Sequence, residues 1–204
     1  MRIFYFIPFL ILLVSCNHQQ TNNSKKENAV EAYIKEHTEH LDSLAIIEES
    51  EIDSIYSPFN ELLSLSYIYL QLDRKVLECS NKIFEMNNKK EAIACIDSVL
   101  SEYEKENEEI EPVADKCFRA LEFDLTDNCT KNRIYQKVKY ILNGKSVEQR
   151  FYYNKNDNRI GHTDEDIAKK AKEVIYNMKS SRRSKLELEN DKRDIKKGIY
   201  QFKQ

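Results

Sequence analysis

The feature that most constrains the fold is a regular apolar spacing between residues 62 and 86. Apolar side chains recur there at alternating intervals of three and four: Leu62, Leu65, Tyr69, Leu72, Val76, Cys79, Ile83 and Met86. Residues at this spacing share one side of an α-helix, and about three heptads of it are typical of a coiled coil or a helical hairpin. The stretch is therefore expected to bury one long face against another helix.

Turn and capping residues divide the N-terminal half into three predicted helices. Ser57 is a suitable N-cap with Pro58 at the first helical position, and "MNNKK" at 86–90 indicates a turn. A second apolar stripe follows that turn. A looser stripe precedes Ser57, with the members Ile34, Leu41, Leu44, Ile47, Ile52 and Ile55. The expected helices span 27–56, 58–86 and 89–108, and the last two form an antiparallel hairpin.

The C-terminal half changes to the alternating pattern of β-strands. In "FRALEFDLT" the alternation places Leu121, Phe123 and Leu125 on one face of a predicted strand. Two runs rich in Val, Ile, Tyr and Phe then flank Asn143-Gly144, the preferred pair for a type I′ hairpin turn. The stretch "NKNDNRIG" at 154–161 indicates a further turn that leads into a short edge strand.

A helix is predicted to follow these strands. Thr163 is a plausible N-cap, two acidic residues lie in the first turn, and the apolar face ends at Met178. Residues 179–204 are rich in alternating charges and poor in apolar side chains, which predicts a solvated helix or a partly disordered tail. The expected fold class is α+β: an N-terminal antiparallel helical hairpin in a three-helix region, then a small antiparallel β-meander, then a C-terminal helix.

Charge is distributed unevenly along the chain. Residues 27–111 hold 21 acidic and 7 basic residues (net −14), and residues 112–204 hold 14 acidic and 22 basic (net +8). With Arg2, Lys25 and Lys26 the total is −3. The opposite signs predict a boundary near "EEIEPVADK" and attraction between the halves. The expected segments are a signal peptide (1–15), a tether (16–27), an acidic helical region (28–111), an α+β region containing the β-hairpin (112–178) and a charged tail (179–204).

The first fifteen residues have the plan of a secretory signal peptide. Arg2 precedes an apolar run that is too short to cross a hydrocarbon core of about 30 Å as a helix. The run ends in Leu13, Val14, Ser15 and Cys16. This "LVSC" sequence resembles the lipobox of bacterial lipoproteins, a resemblance that covers only the N-terminal residues. It implies that Cys16 is acylated and becomes the mature N-terminus.

Acylation at Cys16 would anchor the chain to a membrane. Two or more buried acyl chains bind a bilayer stably, whereas a single chain binds it only marginally. The sequence "NHQQTNNSKKEN" after Cys16 has no aliphatic or aromatic side chain, so it is expected to be a flexible tether. The residue after Cys16 is Asn17. An aspartate at this position would resemble an inner-membrane retention signal, and it is not present. The expected location is therefore the outer membrane of a bacterial cell envelope, facing the periplasm.

Four cysteines remain once Cys16 is assigned to lipid: Cys79, Cys95, Cys117 and Cys129. An even number in an oxidising compartment permits disulfides, with three possible connectivities. Cys79 and Cys95 are equally far from Asn87 in the predicted hairpin turn, which favours a bridge between them. Cys117 and Cys129 would then close the loop before the β-hairpin. In the alternative interpretation, each cysteine is a small buried apolar side chain.

No catalytic residue, metal ligand or cofactor site is predicted. The chain has no CxxC pair, GxSxG turn, Gly-rich phosphate loop or SxxK pair. His37 and His40 lie three residues apart on a predicted helix, where solvated positions are more common than zinc ligands. His162 is expected in a turn. Nucleic acid is discounted as a partner, because a signal peptide directs the chain out of the cytoplasm and its net charge is negative.

The predicted function is a non-enzymatic, lipid-anchored module of the envelope. Its expected partners are a membrane, bound through the acyl chains of Cys16, and another envelope protein, bound through the helical hairpin or a strand edge. Three alternatives remain open: an inhibitor or immunity-type lipoprotein, an envelope hydrolase with an unrecognised site, and a ligand carrier. A pocket that gathers His162 with several carboxylates would favour the hydrolase.

Overall fold

The computed structural model describes residues 29–123, 132–154, 156–157 and 159–199. They form a mixed α+β fold with helices α1 (29–37), α2 (Phe59–Ile83), α3 (Lys89–Glu122) and α4 (Asp164–Lys197), and with strands β1 (Leu44–Glu49), β2 (Asp53–Tyr56), β3 (Asn132–Leu142), β4 (Lys145–Tyr153) and β5 (Ile160–Thr163). The predicted α+β class is confirmed. The chain divides into two compact units, and each is built from two separate segments of sequence. The sheet unit consists of the described residues up to Ser54 together with Arg133–Thr163, and the helical unit contains α2, α3 and α4.

The sheet unit is centred on the predicted β-hairpin. The strand order is β1-β3-β4-β5, all antiparallel, with β2 also paired to β3. Asn143 has φ 48° and Gly144 has φ 79°, so both residues adopt the left-handed conformation that a type I′ turn requires. The Asn143 carboxamide oxygen accepts hydrogen bonds from the amides of Asp42 and Ser43 at 2.9 and 3.1 Å. The hairpin turn is therefore tied to the segment before β1.

Helix α1 supplies the buried side of the sheet unit. Val30 and Ile34 pack with Val138, Tyr140 and Phe151 in one apolar cluster. The predicted helix over 27–56 is wrong beyond residue 37, because residues 44–49 and 53–56 form β1 and β2. The apolar residues of this segment are irregularly spaced, so they are only weak evidence for a helix. Pairing with β3 decides the conformation of such a segment more strongly than local preference does.

The helical unit contains the predicted hairpin. Helices α2 and α3 pack against each other, and each packs against α4. The Asn88 side chain caps α3 by accepting a hydrogen bond from the Lys90 amide at 2.8 Å. Helix α2 begins at Phe59 with Pro58 at its N-cap and no side-chain cap bond, so the predicted cap at Ser57 is wrong by one position. Such shifts are common at helix ends.

Helix α3 is longer than the sequence predicted. It continues through Pro112 to Glu122, so the segment boundary expected near residue 112 lies inside a helix. The predicted strand around Leu121 and Phe123 is wrong, because Leu121 is helical and Phe123 is the C-cap; Leu125 lies outside the described residues. Burial of Ala114 and Cys117 on the inner face favours the helix, and Arg, Ala, Leu and Glu are strong helix formers.

Helix α4 includes most of the predicted tail. It extends to Lys197, and Ser181, Ser184, Leu188 and Ile195 are buried in its second half. Of the two alternatives expected for residues 179–204, the helix is found as far as Lys197, but it is packed rather than solvated on this buried side. These positions keep helical spacing, but two of them are serines, so the apolar pattern is weak. Across the described residues, none of the helices combines the length and apolar composition that a bilayer-spanning helix requires.

Candidate functional site

The apolar seam that dominates the sequence lies inside the helical unit. Its members within α2 are all buried: Leu62, Leu65, Tyr69, Leu72, Val76, Cys79 and Ile83. Met86 lies beyond the end of α2 and is half-buried. The seam therefore forms an intramolecular hairpin that α4 completes, rather than a coiled coil with another chain. It explains the fold and offers no surface to a partner.

The solvent side of α2 carries a second apolar stripe, formed by Leu63, Tyr67, Leu70, Leu77 and Phe84 and called the α2 stripe below. The exposed fractions of these side chains run from 41% at Leu63 to 63% at Tyr67. Arg74 and Asn81 occupy the two remaining positions in the same three-and-four spacing. The five side chains consequently follow one line along the helix.

Sequence reasoning missed the α2 stripe, although a signal was present. Leu63, Leu70, Leu77 and Phe84 recur every seventh residue, a second heptad register displaced by one position from the buried seam. None of the exposed side chains in the first half of α2 is charged. They are Asn60, Leu63, Ser64, Tyr67 and Leu70. An exposed line of apolar side chains at heptad spacing is typical of a helix surface that packs against a second helix.

A pair of cysteines joins α2 to α3. The Sγ atoms of Cys79 and Cys95 lie 3.3 Å apart without a covalent bond, level across the hairpin as the sequence predicted. Cys79 is buried and Cys95 is half-buried. Burial, together with the hydrogen bond to Cys95, raises the pKa of the Cys79 thiol to about 12. The sulfur positions fit the predicted bridge, and the disulfide itself stays a prediction.

The remaining predicted site residues are distant from that pair or lie outside the described residues. Cys117 is buried on α3, with its Sγ 4.0 Å from the Tyr56 hydroxyl. Its predicted partner Cys129 lies outside the described residues. So do Cys16 and the lipobox residues before it: Leu13, Val14 and Ser15.

An open groove of about 660 Å³ runs between α3 and α4. It is lined by Asp97, Leu100, Ser101, Glu104, Glu189, Lys192, Arg193, Lys196 and Lys197. The charged side chains on the α3 side are both acidic, whereas the α4 side carries four cations and one glutamate, and Lys192 pairs with Asp97. The lining contains no histidine or cysteine.

The three histidines in the described ranges are His37, His40 and His162. His37 is exposed on α1, with its ring stacked on Tyr33 at 3.9 Å, and His40 lies beyond the end of that helix. His162 is buried in β5 and stacks on Tyr152 at a centroid distance of 4.7 Å, so its predicted place in a turn is wrong. Within the ranges that the structure describes, no three His, Cys, Asp or Glu side chains are grouped to hold a metal ion.

No protein-family model, curated protein or solved structure matches this chain. Its function therefore has to be argued from the geometry of its own surfaces.

Proposed function

We propose that the chain is a non-enzymatic, lipid-anchored module of the bacterial cell envelope, and that its α2 stripe binds a helix of another envelope protein. The observation that carries this proposal is the line of five large, exposed apolar side chains along α2 and its C-cap, which only Arg74 and Asn81 interrupt. Exposed apolar residues scattered singly are normal on a protein surface, whereas contiguous patches mark interaction sites.

The shape of the α2 stripe favours a helical partner. From Leu63 to Phe84 the stripe extends for about 32 Å at 1.5 Å per residue. Its heptad spacing places a large side chain every one or two turns, and such side chains fit between those of a second helix that runs alongside. An amphipathic helix from a partner would bury its own apolar face in the same contact.

The charge at the centre of the α2 stripe favours a different protein over a second copy of this chain. Arg74 lies on the line of the stripe, 70% exposed, with its Nε 3.1 Å from a Glu78 carboxylate oxygen. In a parallel pair of two α2 helices, Arg74 would face another Arg74. In an antiparallel pair it would face a leucine of the stripe. A partner helix with a carboxylate opposite Arg74 would use the guanidinium donors that Glu78 leaves available.

The anchor supports the envelope location. The "LVSC" sequence implies acylation of Cys16, and only 12 residues separate Cys16 from the start of α1 at residue 29. A lipid-anchored domain would therefore stay close to the bilayer surface. Cys16→Ser should release the protein from membranes and abolish lipid labelling, whereas the matched variant Cys117→Ser should leave both unchanged. Membrane fractionation that is unchanged by Cys16→Ser would refute the lipobox interpretation.

Charge insertion into the α2 stripe tests the binding proposal. Leu70→Glu and Leu77→Glu each place a carboxylate in the contact, and we expect each to weaken partner binding by roughly 10- to 100-fold. Leu186→Glu is the matched control, because Leu186 is 58% exposed on α4 and lies outside the stripe. Crosslinking on intact cells, then membrane extraction and quantitative mass spectrometry, measures the bound partner. Equal binding by all three variants would contradict the proposal.

A further inference from the structure

We propose that Cys79 and Cys95 form a native disulfide that covalently joins α2 to α3. The two residues belong to facing helices of the hairpin, and their Sγ atoms are already 3.3 Å apart. A disulfide bond is about 2.04 Å long, so closure requires an approach of roughly 1.3 Å, which small rotations of the two side chains can supply. The inference does not depend on the α2 stripe having a partner, and it uses the proposed envelope location only for the oxidant.

The continuous α3 helix excludes the other cysteine pairings. Cys95 and Cys117 lie on the same helix, separated by about 33 Å along its axis. Cys79 is in contact with Cys95, so it is also too far from Cys117 for a bond that needs Cα atoms closer than about 7 Å. Two of the three connectivities of the four cysteines are thereby eliminated. The remaining one pairs Cys79 with Cys95 and leaves Cys129 for Cys117.

The exposure of the two thiols determines the order of reaction. Cys95 is half-buried and can be reached from solvent, whereas Cys79 is buried and its pKa is raised. The Cys95 thiolate attacks one sulfur of an oxidant disulfide, forming a mixed disulfide and releasing one thiolate. Cys79 then loses its proton and attacks the Cys95 sulfur, releasing the second thiolate. The two thiols lose two electrons and two protons, and the oxidant, an oxidoreductase disulfide of the envelope, becomes a dithiol.

The bond would stabilise the hairpin by restricting the unfolded chain. The linked residues are 16 positions apart, which is a loop of moderate length. For a loop of this size in a chain of this length, reduction should lower Tm by roughly 6 to 12 °C. Because Cys79 lies on α2 between Leu77 and Phe84, the same bond would also fix the helix that carries the α2 stripe.

Peptide mapping without reductant tests the proposal on the full-length protein extracted from cell membranes. Free thiols are first blocked by alkylation, and a peptide linking Cys79 to Cys95 is the expected result. The thermal melt of the same sample should then be sensitive to reductant. Cys95→Ser should melt at the lower temperature with or without reductant, and Cys117→Ser should retain the reductant shift of the unmodified protein. Cys95→Ser is preferred to Cys79→Ser, since the half-buried position tolerates the hydroxyl better.

A second arm separates the geometry from the location. The reduced, purified protein is treated with oxidised glutathione, and the 79–95 bond should form faster than any bond to Cys117. Alkylation of both thiols in the membrane-extracted sample would overturn the native disulfide. If the bond nevertheless formed readily in the purified protein, the geometry would stand and the oxidising location would be wrong. If it failed to form there, the sulfur geometry itself would be refuted.

Discussion

Truncation of Leu188 tests whether the second half of α4 belongs to the folded core. Leu188 is fully buried, whereas Leu186, two positions earlier on the same helix, is 58% exposed. The substitution to alanine is chemically identical at both positions, with the same change in helix propensity. Any difference between Leu188→Ala and Leu186→Ala therefore reports burial alone.

The expected magnitude follows from the atoms removed. Leucine to alanine deletes three carbon atoms, about 2.4 kcal/mol of transfer free energy at roughly 0.8 kcal/mol per methylene. The cavity left by incomplete relaxation adds to this, so the free energy of unfolding should fall by about 2–5 kcal/mol at Leu188. The corresponding loss in Tm is roughly 4–20 °C for a chain of this length. At Leu186 the change should stay within about 0.5 kcal/mol.

Urea denaturation followed by far-ultraviolet circular dichroism measures both variants, because the three long helices dominate that signal. The midpoint should fall for Leu188→Ala with an unchanged slope, and it should not move for Leu186→Ala. Equal, small effects at the two positions would refute the packing of α4 beyond Met178. They would favour the solvated tail that the sequence predicted.

Four further substitutions test individual features. The Tyr69 hydroxyl is buried without a hydrogen-bond partner among the described residues, so Tyr69→Phe should leave the free energy of unfolding unchanged or raise it by up to about 1 kcal/mol. Tyr103→Phe loses a 2.8 Å hydrogen bond to the buried Ser181 and should lower the free energy of unfolding by about 1 kcal/mol. The same urea assay measures both variants. Gly144→Ala should cost about 1 kcal/mol in thermal melts, because φ 79° is unfavourable for alanine. The hydrogen bond and charge of Lys75 lower the pKa of Glu102 below its usual 4.5, so this pair stabilises the fold above that pH and the contribution is lost as pH falls through the lowered pKa. Both side chains are more than a third exposed, so Lys75→Met should reduce the acid sensitivity of unfolding by only a few tenths of a kcal/mol.

The elements that the sequence predicted well depend on neighbours close in the chain. The type I′ turn needs only Asn143-Gly144 and the two flanking runs, and the α2–α3 hairpin needs one regular seam and one turn. The level arrangement of Cys79 and Cys95 follows directly from that hairpin. Each of these features has a physical cause within about thirty residues of sequence.

The elements that the sequence missed depend on distant contacts. Strand β1 exists because it pairs with β3, with Leu44 opposite Leu142. The second half of α4 is ordered by packing against α2 and α3 through positions that include serines. One of them, Ser184, donates a hydrogen bond from its hydroxyl group to the Asp73 carboxylate on α2. Such polar contacts leave no apolar period in the sequence.

The candidate binding surface, the α2 stripe, was missed because α2 carries more than one apolar pattern. Helix α2 carries two heptad registers, and both are rich in leucine and tyrosine. The uninterrupted register is the buried one, as its spacing predicts, whereas the second register is interrupted by Arg74 and Asn81 and gives a weaker signal. The sequence predicts that the stronger register forms the seam of a coiled coil or helical hairpin, and the structure places it inside the helical unit.

Site-specific photo-crosslinking in living cells is the sharpest test of whether the α2 stripe binds a partner helix. A photoreactive residue replaces Leu70 in the α2 stripe, and a matched variant carries it at Leu186. We expect one dominant adduct from position 70 and none from position 186. The crosslinked peptide should belong to an amphipathic helix of an envelope protein and should carry a carboxylate near the contact. No adduct from position 70, or the same adducts from both positions, would contradict a binding role for the α2 stripe.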